Sequence, residues 1–264
     1  MAIMAKVSLI VPAYKAEPWI DECLASIHEQ TYKDIEIIVI EDPERTGAAS
    51  SRNRGLAKAT GEYVAFSDAD DYLSPDAIER MVAAMEGVEM VCGSFRKFGQ
   101  FDRIVTHPTA VLTRREVAYY VMGNLSHPDT NQMITSCWAK LYRRVLIDKF
   151  PLQNTSEGMA FNFKYLKMCE NVRFIDSVVY HNRRHGGSLS TTFDPKNKFG
   201  LFGFLQSQRY VRTFLEEFFE EAALDEAMDK FKVYQSMLYF MRICDSEGSK
   251  AREVFNMLYP DNGS

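Results

Sequence analysis

The chain has 264 residues, 46% of them hydrophobic and 25% charged, which is typical of a globular protein long enough to bury a sizeable core. Its net charge of −5 argues against a nucleic-acid-binding surface, although local basic clusters remain compatible with it. Five cysteines without a Cys-x-x-Cys pair indicate neither a disulfide framework nor a zinc site, and they fit a reducing compartment.

The N-terminal residues lead straight into an apolar run and lack the basic start and long apolar region of a signal peptide. No segment approaches about eighteen consecutive apolar residues, so no membrane span is expected. These features predict a cytoplasmic protein. Attachment at the inner face of a membrane remains open.

The first part of the chain alternates predicted strands with predicted helices. The strands are short apolar runs, at residues 7–11, 35–40 and 63–66. Each is followed by a segment with helical periodicity, at residues 18–30, 47–60 and 75–86. This alternation predicts an α/β fold built on a parallel sheet.

Acidic residues follow two of these strands. Asp42 comes after the second strand, and Asp68 and Asp70 come after the third. Right-handed crossovers place the carboxyl ends of parallel strands at one edge, where open α/β sheets bind ligands. Carboxylates at alternating positions can turn toward one hard cation that keeps positions for water and phosphate. The sequence therefore predicts a metal site for a nucleotide diphosphate at this edge.

The acidic segment also fits a loop followed by a helix cap, with Ser74 as N-cap and Pro75 at the first helical position. We expect that cap with or without a metal. A calcium loop is excluded, because Leu73 occupies the position that requires glycine. Arg52, near the start of its predicted helix, can reach a phosphate or a base edge. Taken alone, it is more typical of a solvated helix face.

The pattern changes after residue 88. Further strands are predicted at residues 89–95, 101–105, 134–142 and 172–180. Thr113 and Glu116 form a capping box that opens a helix to about residue 122, and another helix covers residues 159–169. The loop predicted at residues 181–190 combines basic and hydroxyl groups, as in a lid over an anion or a solvated surface loop.

From residue 199 onward the chain is predicted to be helical, amphipathic and rich in aromatic residues, including residues 231–243 and 251–258. These helices fit packing on the main domain, a homodimer contact or an acceptor surface. The sequence leaves all three open.

Several segments resemble, in order, those of the inverting family 2 glycosyltransferases of the GT-A type. They are SLIVPAYK, EIIVIED, SSRNRGLAKATGEYVAFSDADDYLSP, CWAKLYRRVLI, SEGMAFNFKYL and VVYHNRRHGGSLS. The resemblance covers about residues 6–192. It implies a GT-A domain over residues 1–192, with a nucleotide-binding half at 6–95 and an acceptor half at 96–192, followed by a helical region at 193–264. It also implies transfer of a sugar from a UDP-sugar to a hydroxyl of a glycan or lipid-linked acceptor, with Mn²⁺ or Mg²⁺, in bacterial polysaccharide biosynthesis.

The resemblance also implies roles for individual residues. Asp68 and Asp70 would form the DxD pair that holds the metal, with Asp70 as the direct ligand. The remaining donor contacts would come from Pro12, Ala13 and Tyr14 at the nucleoside, Asp42 at the uracil, Arg52 near the nucleotide, and His181, Arg183 and Ser188 over the diphosphate.

The chain departs from the family pattern in two places. Glu157-Gly158 stands where relatives carry Glu-Asp, and that aspartate is the usual catalytic base. Glu157 is therefore expected to act as base, unless the protein is a lapsed member that only binds a nucleotide sugar, a glycan or a partner enzyme. The connection at residues 43–51 is short, so the sheet is expected to lack a strand at that edge. The glycine-rich phosphate loops of other nucleotide-binding proteins are absent.

Overall fold

The computed structural model describes residues 5–100, 102–124, 136–152, 156–185 and 198–229. The strands are β1 Val7–Ala13, β2 Ile35–Glu41, β3 Tyr63–Phe66, β4 Tyr72–Leu73, β5 Met90–Gly99, β6 Arg103–Val105, β7 Ala110–Thr113, β8 Lys140–Arg143 and β9 Asn171–Arg184. The helices are α1 Ile20–His28, α2 Ala48–Leu56, α3 Ala77–Ala83, α4 Arg114–Asn124, α5 Glu157–Leu166, α6 Lys198–Leu215 and α7 over residues 221–229.

The strands form one sheet in the order β2-β1-β3-β8-β5-β9-β4, with β6 beside β5 and β7 beside β9. β1, β2, β3, β5 and β9 run in one direction and contain most of the residues of the sheet. β4, β6, β7 and β8 run the opposite way. This arrangement confirms the predicted α/β class with a mainly parallel central sheet.

The carboxyl ends of β1, β2 and β3 meet at one edge of the sheet. Ala13 at the end of β1 lies opposite Glu41 at the end of β2, and Ile10 lies opposite Phe66 at the end of β3. Asp42 continues this edge, since its N–H donates to the Ala13 carbonyl at 2.9 Å. The expected convergence of the acidic strand ends is therefore confirmed.

Within the described residues, β2 is the last strand of the sheet on its side. Its apolar side chains from Ile35 to Val39 are only half-buried, as on an edge strand. Among the described residues, no further strand follows β2 at this side of the sheet, as expected from the short connection at residues 43–51.

The cap predicted at Ser74 and Pro75 is wrong. Helix α3 begins at Ala77, and Tyr72 and Leu73 form a short strand that pairs with β9. This pairing takes the Ser74 hydroxyl away from the helix, because its Oγ donates to the Val178 carbonyl at 2.7 Å.

Strand β9 extends through Arg184, so residues 181–184 are not part of a loop as predicted. They pair with β5 up to Gly99, which lies opposite Arg184. Gly99 has a φ of 108°, and a Cβ there would collide with the Arg184 carbonyl, so this close approach requires glycine. β8 is shorter than predicted and begins at Lys140, after Trp138.

The described helices α4, α5 and α6 pack against the sheet or against one another. The predicted capping box is confirmed, because the Thr113 N–H donates to Glu116 Oε2 at 2.8 Å and the Glu116 N–H donates to Thr113 Oγ1 at 3.3 Å. Helix α6 packs on α5, where the rings of Phe163 and Phe214 have centroids 5.6 Å apart.

The helices predicted at residues 231–243 and 251–258 lie outside the described residues. The domain boundary after residue 192 and the homodimer contact stay predictions. Among the helices that the structure describes, none combines the length and the apolar character that a membrane crossing requires.

A candidate site at the carboxyl edge of the sheet

Arg52 on α2 joins two carboxylates that come from different parts of the fold. Its Nη2 donates to Asp68 Oδ1 after β3, and its Nη1 donates to Glu157 Oε1 at the start of α5, both at 2.7 Å. Arg52 is only 4% exposed. Its interpretation as a solvated helix residue is therefore wrong, because a buried guanidinium needs nearby negative charge.

Aromatic packing fixes the position of this guanidinium. Its carbon lies 5.6 Å from the centroid of the Phe150 ring, within the range of a cation–π contact. Phe150 in turn stacks on Phe161 of α5 at 3.9 Å, and both contact Phe66 at the end of β3. The same aromatic cluster thus holds α5 and Arg52 at the edge of the sheet.

Asp68, which Arg52 contacts, and the neighbouring Asp70 are both partly accessible, with 33% and 30% of their side chains exposed. Burial raises the pKa of Asp70, and the negative charge of Asp68 raises it further. His185 Nε2 lies 3.0 Å from Asp70 Oδ2, and the His185 ring packs on Trp19 with centroids 4.1 Å apart. Asp70 is thus set between a second carboxylate and an imidazole.

Asp71 has a structural role that the sequence analysis did not assign. Its buried carboxylate accepts hydrogen bonds from the Tyr180 hydroxyl at 2.8 Å, Asn182 Nδ2 at 3.0 Å and the Arg183 N–H at 2.7 Å. The Tyr180 hydroxyl also accepts the Asp68 N–H at 2.9 Å. Asp71 therefore ties the acidic loop to β9, although burial and the charge of Asp70 raise the pKa of its carboxyl.

The three residues predicted to cover the diphosphate, His181, Arg183 and Ser188, do not come together at one place in the described structure. Arg183 lies at the acidic loop, where its Nε donates to the Asp70 carbonyl at 3.0 Å. His181 points to a different neighbourhood, since its Nε2 lies 2.9 Å from Ser74 Oγ and its ring stacks on Tyr72 at 4.3 Å. Ser188 lies outside the described residues.

His185 lies beside Asp70, a contact that the sequence did not predict. His181, Arg183 and His185 alternate along one strand direction, so periodicity alone places them on one face. The sequence signal was the second histidine of the segment HNRRH. Only the tertiary contacts show which histidine reaches the aspartates: it is His185, just past the end of β9.

Pro12, Ala13 and Tyr14 lie at the end of β1, next to Asp42. Asp42 is 5% exposed and caps the turn that follows β2. Its Oδ1 accepts from the Thr46 N–H at 2.9 Å and from Thr46 Oγ1 at 2.7 Å, and its Oδ2 accepts from the Gly47 N–H at 2.8 Å. Burial alone raises the pKa of Asp42, but these hydrogen bonds outweigh burial and lower it.

Glu157 and Gly158 begin α5 directly above Arg52. Ser156, which precedes them, has a left-handed backbone with φ 57°. The Glu157 side chain turns to Arg52, whereas Gly158 is buried and contributes no carboxylate. Glu157 is therefore the carboxylate that α5 directs to this guanidinium.

The predicted cation fits Asp68 and Asp70. Both present partly exposed oxygen ligands, and their mutual repulsion is what a divalent cation relieves. Within the described ranges, no three or more His, Cys, Asp or Glu side chains cluster to hold an ion. The other ligands would then be water and substrate phosphates, as Mg²⁺ and similar ions prefer.

Fold and site together define an α/β protein whose acidic, cation-compatible site lies at the edge where open sheets bind nucleotides. Residues 8–46 and 39–150 match the family described as Glycosyl transferase family 2. The match covers more than half of the chain, and the chain belongs to this family. The two stretches overlap at residues 39–46, next to the short connection between β2 and α2.

Individual relatives agree with this assignment. EpsJ of Bacillus subtilis strain 168, an uncharacterized glycosyltransferase, is 31% identical over 219 residues, which are 70% of this chain and 62% of EpsJ. The chain thus spans less than two thirds of the length of this relative.

Two solved structures share the fold. S. aureus TarS in complex with UDP-GlcNAc superposes with a TM-score of 0.66 at 19% identity, over 91% of this chain and 73% of TarS. The mannosyltransferase PcManGT from Pyrobaculum calidifontis, in complex with GDP-Man and Mn²⁺, gives a TM-score of 0.53 at 18% identity, over 100% of this chain and 77% of its own. The predicted GT-A fold is confirmed.

Proposed function

We propose that the protein is an inverting glycosyltransferase that moves a sugar from a UDP-sugar to a hydroxyl of a glycan or lipid-linked acceptor, and that it requires Mn²⁺ or Mg²⁺. One observation carries the proposal: the Arg52 guanidinium binds both Asp68 and Glu157 at the carboxyl edge of the sheet, and Asp70 follows Asp68 in the same loop. Family membership and the nucleotide-sugar complexes of TarS and PcManGT support it.

In the proposed reaction the acceptor oxygen forms a bond to the anomeric carbon, while the bond from that carbon to the phosphate oxygen breaks. UDP leaves with the electron pair, and the acceptor proton passes to a base. A single in-line attack inverts the anomeric centre. A divalent cation at Asp68 and Asp70 would stabilise the negative charge that develops on the diphosphate.

The residues of this chain prepare the site for that step. Arg52 holds Asp68 and Glu157 in fixed positions through short charge-assisted hydrogen bonds. Arg183 contacts the Asp70 carbonyl and His185 contacts the Asp70 carboxylate, and we propose that both side chains lie beside the bound diphosphate. We propose that His185 takes the role expected of His181, because it is the histidine that lies at the aspartates.

Glu157 is the proposed base. Arg52 contacts its Oε1, and its Oε2 has no hydrogen-bond partner among the residues that the structure describes, so this oxygen is open to an acceptor hydroxyl. Gly158 favours the alternative, in which the protein binds a nucleotide sugar, a glycan or a partner enzyme without transfer. The donor and transfer experiments separate these possibilities.

The first experiment measures thermal shifts of the full chain with UDP, GDP, CMP and ADP, with and without Mn²⁺, followed by UDP release from a panel of UDP-sugars. We expect stabilisation by UDP with Mn²⁺ and turnover of one sugar, and we expect both to be lost in Asp70→Ala. Stabilisation without turnover in the presence of acceptors would favour the binding protein. No response to any nucleotide would exclude the donor site.

The second experiment tests the base with Glu157→Gln, which keeps a hydrogen-bond acceptor for Arg52 but cannot take a proton. Transfer should fall at least about 100-fold, the usual effect of losing a general base, while the Kd for UDP stays within about twofold. Gly158→Asp in the same background should restore part of the transfer. Undiminished transfer by Glu157→Gln would remove Glu157 from the mechanism.

We also propose that the protein works in the cytoplasm, at the inner face of the membrane, in polysaccharide biosynthesis. Its acidic overall charge leaves only local basic groups for such attachment. Cell fractionation that finds the full-length protein outside both the cytoplasm and the inner membrane would contradict this location.

A further inference from the structure

Two cationic side chains lie over the ring of Tyr14, at the mouth of the predicted nucleoside pocket. Lys15 Nζ is 5.5 Å and the guanidinium carbon of Arg45 is 5.7 Å from the ring centroid. Tyr14 is 40% exposed. Neither cation forms an ion pair with a described residue. The Tyr14 ring thus combines an accessible surface with two positive charges that no described carboxylate pairs with, which suits a flat ligand with anionic groups.

The backbone holds these cations in position. Lys15 and Arg45 have left-handed backbones, with φ of 50° and 54°, a conformation that costs non-glycine residues about 1 kcal/mol or more. The turn around Arg45 is closed by its own N–H, which donates to the Asp42 carbonyl at 3.0 Å, and by the bonds from Thr46 and Gly47 to the Asp42 carboxylate. The short connection between β2 and α2 thus brings Arg45 over Tyr14.

This turn consumes most of the hydrogen-bonding capacity of Asp42. A carboxylate offers about four acceptor positions. Asp42 Oδ1 already accepts three hydrogen bonds, from the Thr46 N–H, from Thr46 Oγ1 and, at 3.3 Å, from Arg54 Nη2, which fill its two positions, while Oδ2 accepts only one, from the Gly47 N–H. Asp42 can therefore accept about one further hydrogen bond, at Oδ2, and a second group is needed to read the edge of a base.

We propose that Arg45 is that group: the donor nucleobase stacks on Tyr14, and Arg45 donates to a base carbonyl beside the N–H that Asp42 accepts. The inference rests on the proposed function and assigns the base selectivity of its donor site. Uracil presents an N3–H flanked by two carbonyl oxygens, which matches one acceptor and one cationic donor. Arg45 donates to O4 of uracil in this arrangement, where cytosine presents its amino group instead and turns the N3 lone pair to Asp42, and both of these contacts are repulsive.

The test is calorimetric titration of the full chain with UDP in the presence of Mn²⁺, with CDP measured by competition. Arg45→Ala should weaken UDP binding about tenfold, which corresponds to loss of one hydrogen bond from a charged donor. The affinity for CDP should change much less, so the ratio of the affinity for UDP to the affinity for CDP should fall in Arg45→Ala. Arg45→Lys keeps the charge but not the forked donor geometry, and it should lie between the wild type and Arg45→Ala.

Arg115 provides a matched control. It is exposed on α4, and its guanidinium carbon lies 5.8 Å from the Tyr119 ring centroid, the same kind of contact outside the site. Arg115→Ala should leave both affinities unchanged. Two outcomes would overturn the inference and leave the proposed function intact, provided that the wild type binds UDP. In one, Arg45→Ala binds UDP as tightly as the wild type does; in the other, it loses affinity for UDP and for CDP equally. Failure of the wild type to bind UDP would overturn both.

Discussion

Arg52 is the residue that connects the first half of the chain to the second at the site. Its two partners, Asp68 and Glu157, lie 16 and 105 positions further along the chain. Such a bridge fixes both carboxylates in space, whereas each would otherwise be free to rotate. The preorganisation of the site therefore depends on one side chain with two donors in a rigid fork.

Replacing Arg52 by alanine should lower the free energy of unfolding by about 2 kcal/mol. Breaking a buried ion pair costs about 3–5 kcal/mol, and the partial exposure of Asp68 reduces that cost. Urea unfolding at pH 7 measures the change. Arg54→Ala is the matched control, since Arg54 is 46% exposed and its contact with Asp42 is longer, at 3.3 Å. Its expected cost is below about 1 kcal/mol, and equal losses in both variants would contradict this role of Arg52.

Glu36 links the three parallel strands at the opposite end from the site. Glu36 lies on β2 and accepts hydrogen bonds from the Lys6 ammonium at 2.8 Å and from the Ser8 hydroxyl of β1. It also accepts from the N–H groups of Thr60 at 2.6 Å and Gly61 at 3.0 Å, just before β3. Burial alone raises the pKa of Glu36. The hydrogen bonds from Lys6, Ser8 and Thr60 outweigh burial and hold the pKa far below its ordinary value of 4.5.

Because its pKa is lowered in the folded state, Glu36 should contribute to the free energy of unfolding in a pH-dependent way. A carboxylate whose pKa is lower in the folded state stabilises the fold above its unfolded pKa, and this contribution is lost as pH falls below about 4.5. Glu36→Gln should therefore lower the free energy of unfolding by about 1–3 kcal/mol at pH 7, and less at pH 3. Urea unfolding at both values measures the difference.

Glu29→Gln removes the same charge from an exposed position and serves as control for the Glu36 experiment. It should change the free energy of unfolding by less than about 0.5 kcal/mol at either pH. A deficit in Glu36→Gln that is the same at pH 3 and pH 7 would show that Glu36 contributes packing rather than charge.

At the scale of the whole molecule, helix α6 belongs to the same packed body as the sheet. Ser207 Oγ donates to the Ser156 carbonyl at 3.0 Å, just before the Glu157 helix. Just after the end of α6, Glu217 pairs with Arg114 of α4 at 3.5 Å and with Lys167, which follows α5, at 3.1 Å. These contacts anchor α6 beside both ends of α5, so its packing bears on the position of Glu157.

Phe214→Ala tests this packing, because Phe214 is fully buried against Phe163. Loss of a buried phenylalanine side chain should lower the free energy of unfolding by about 3–5 kcal/mol. In calorimetry of the full chain, the midpoint temperature of the single unfolding transition should fall accordingly. Phe219, which is partly exposed and contacts Tyr119, provides the control, and Phe219→Ala should cost less. A separate second transition in Phe214→Ala would show that α6 unfolds independently.

Local sequence patterns predicted the elements whose signals are short-range. The strands at residues 7–11, 35–40 and 63–66, the capping box at Thr113 and the convergence of acidic strand ends follow from hydrophobic patterning, capping chemistry and the handedness of crossovers. The sequence also showed that the connection after β2 is shorter than in the family that the chain resembles. For these features the determining interactions lie within a few residues of one another, or follow from topology alone.

The tertiary structure decided what long-range pairing controls. It buried Arg52 between two carboxylates, extended β9 through residues predicted as a loop, and brought His185 rather than His181 to Asp70. It also turned Ser74 from a helix cap into a partner of β9. Each outcome depends on a hydrogen bond or ion pair between residues distant in the chain, and no local pattern encodes which distant partner a side chain will meet.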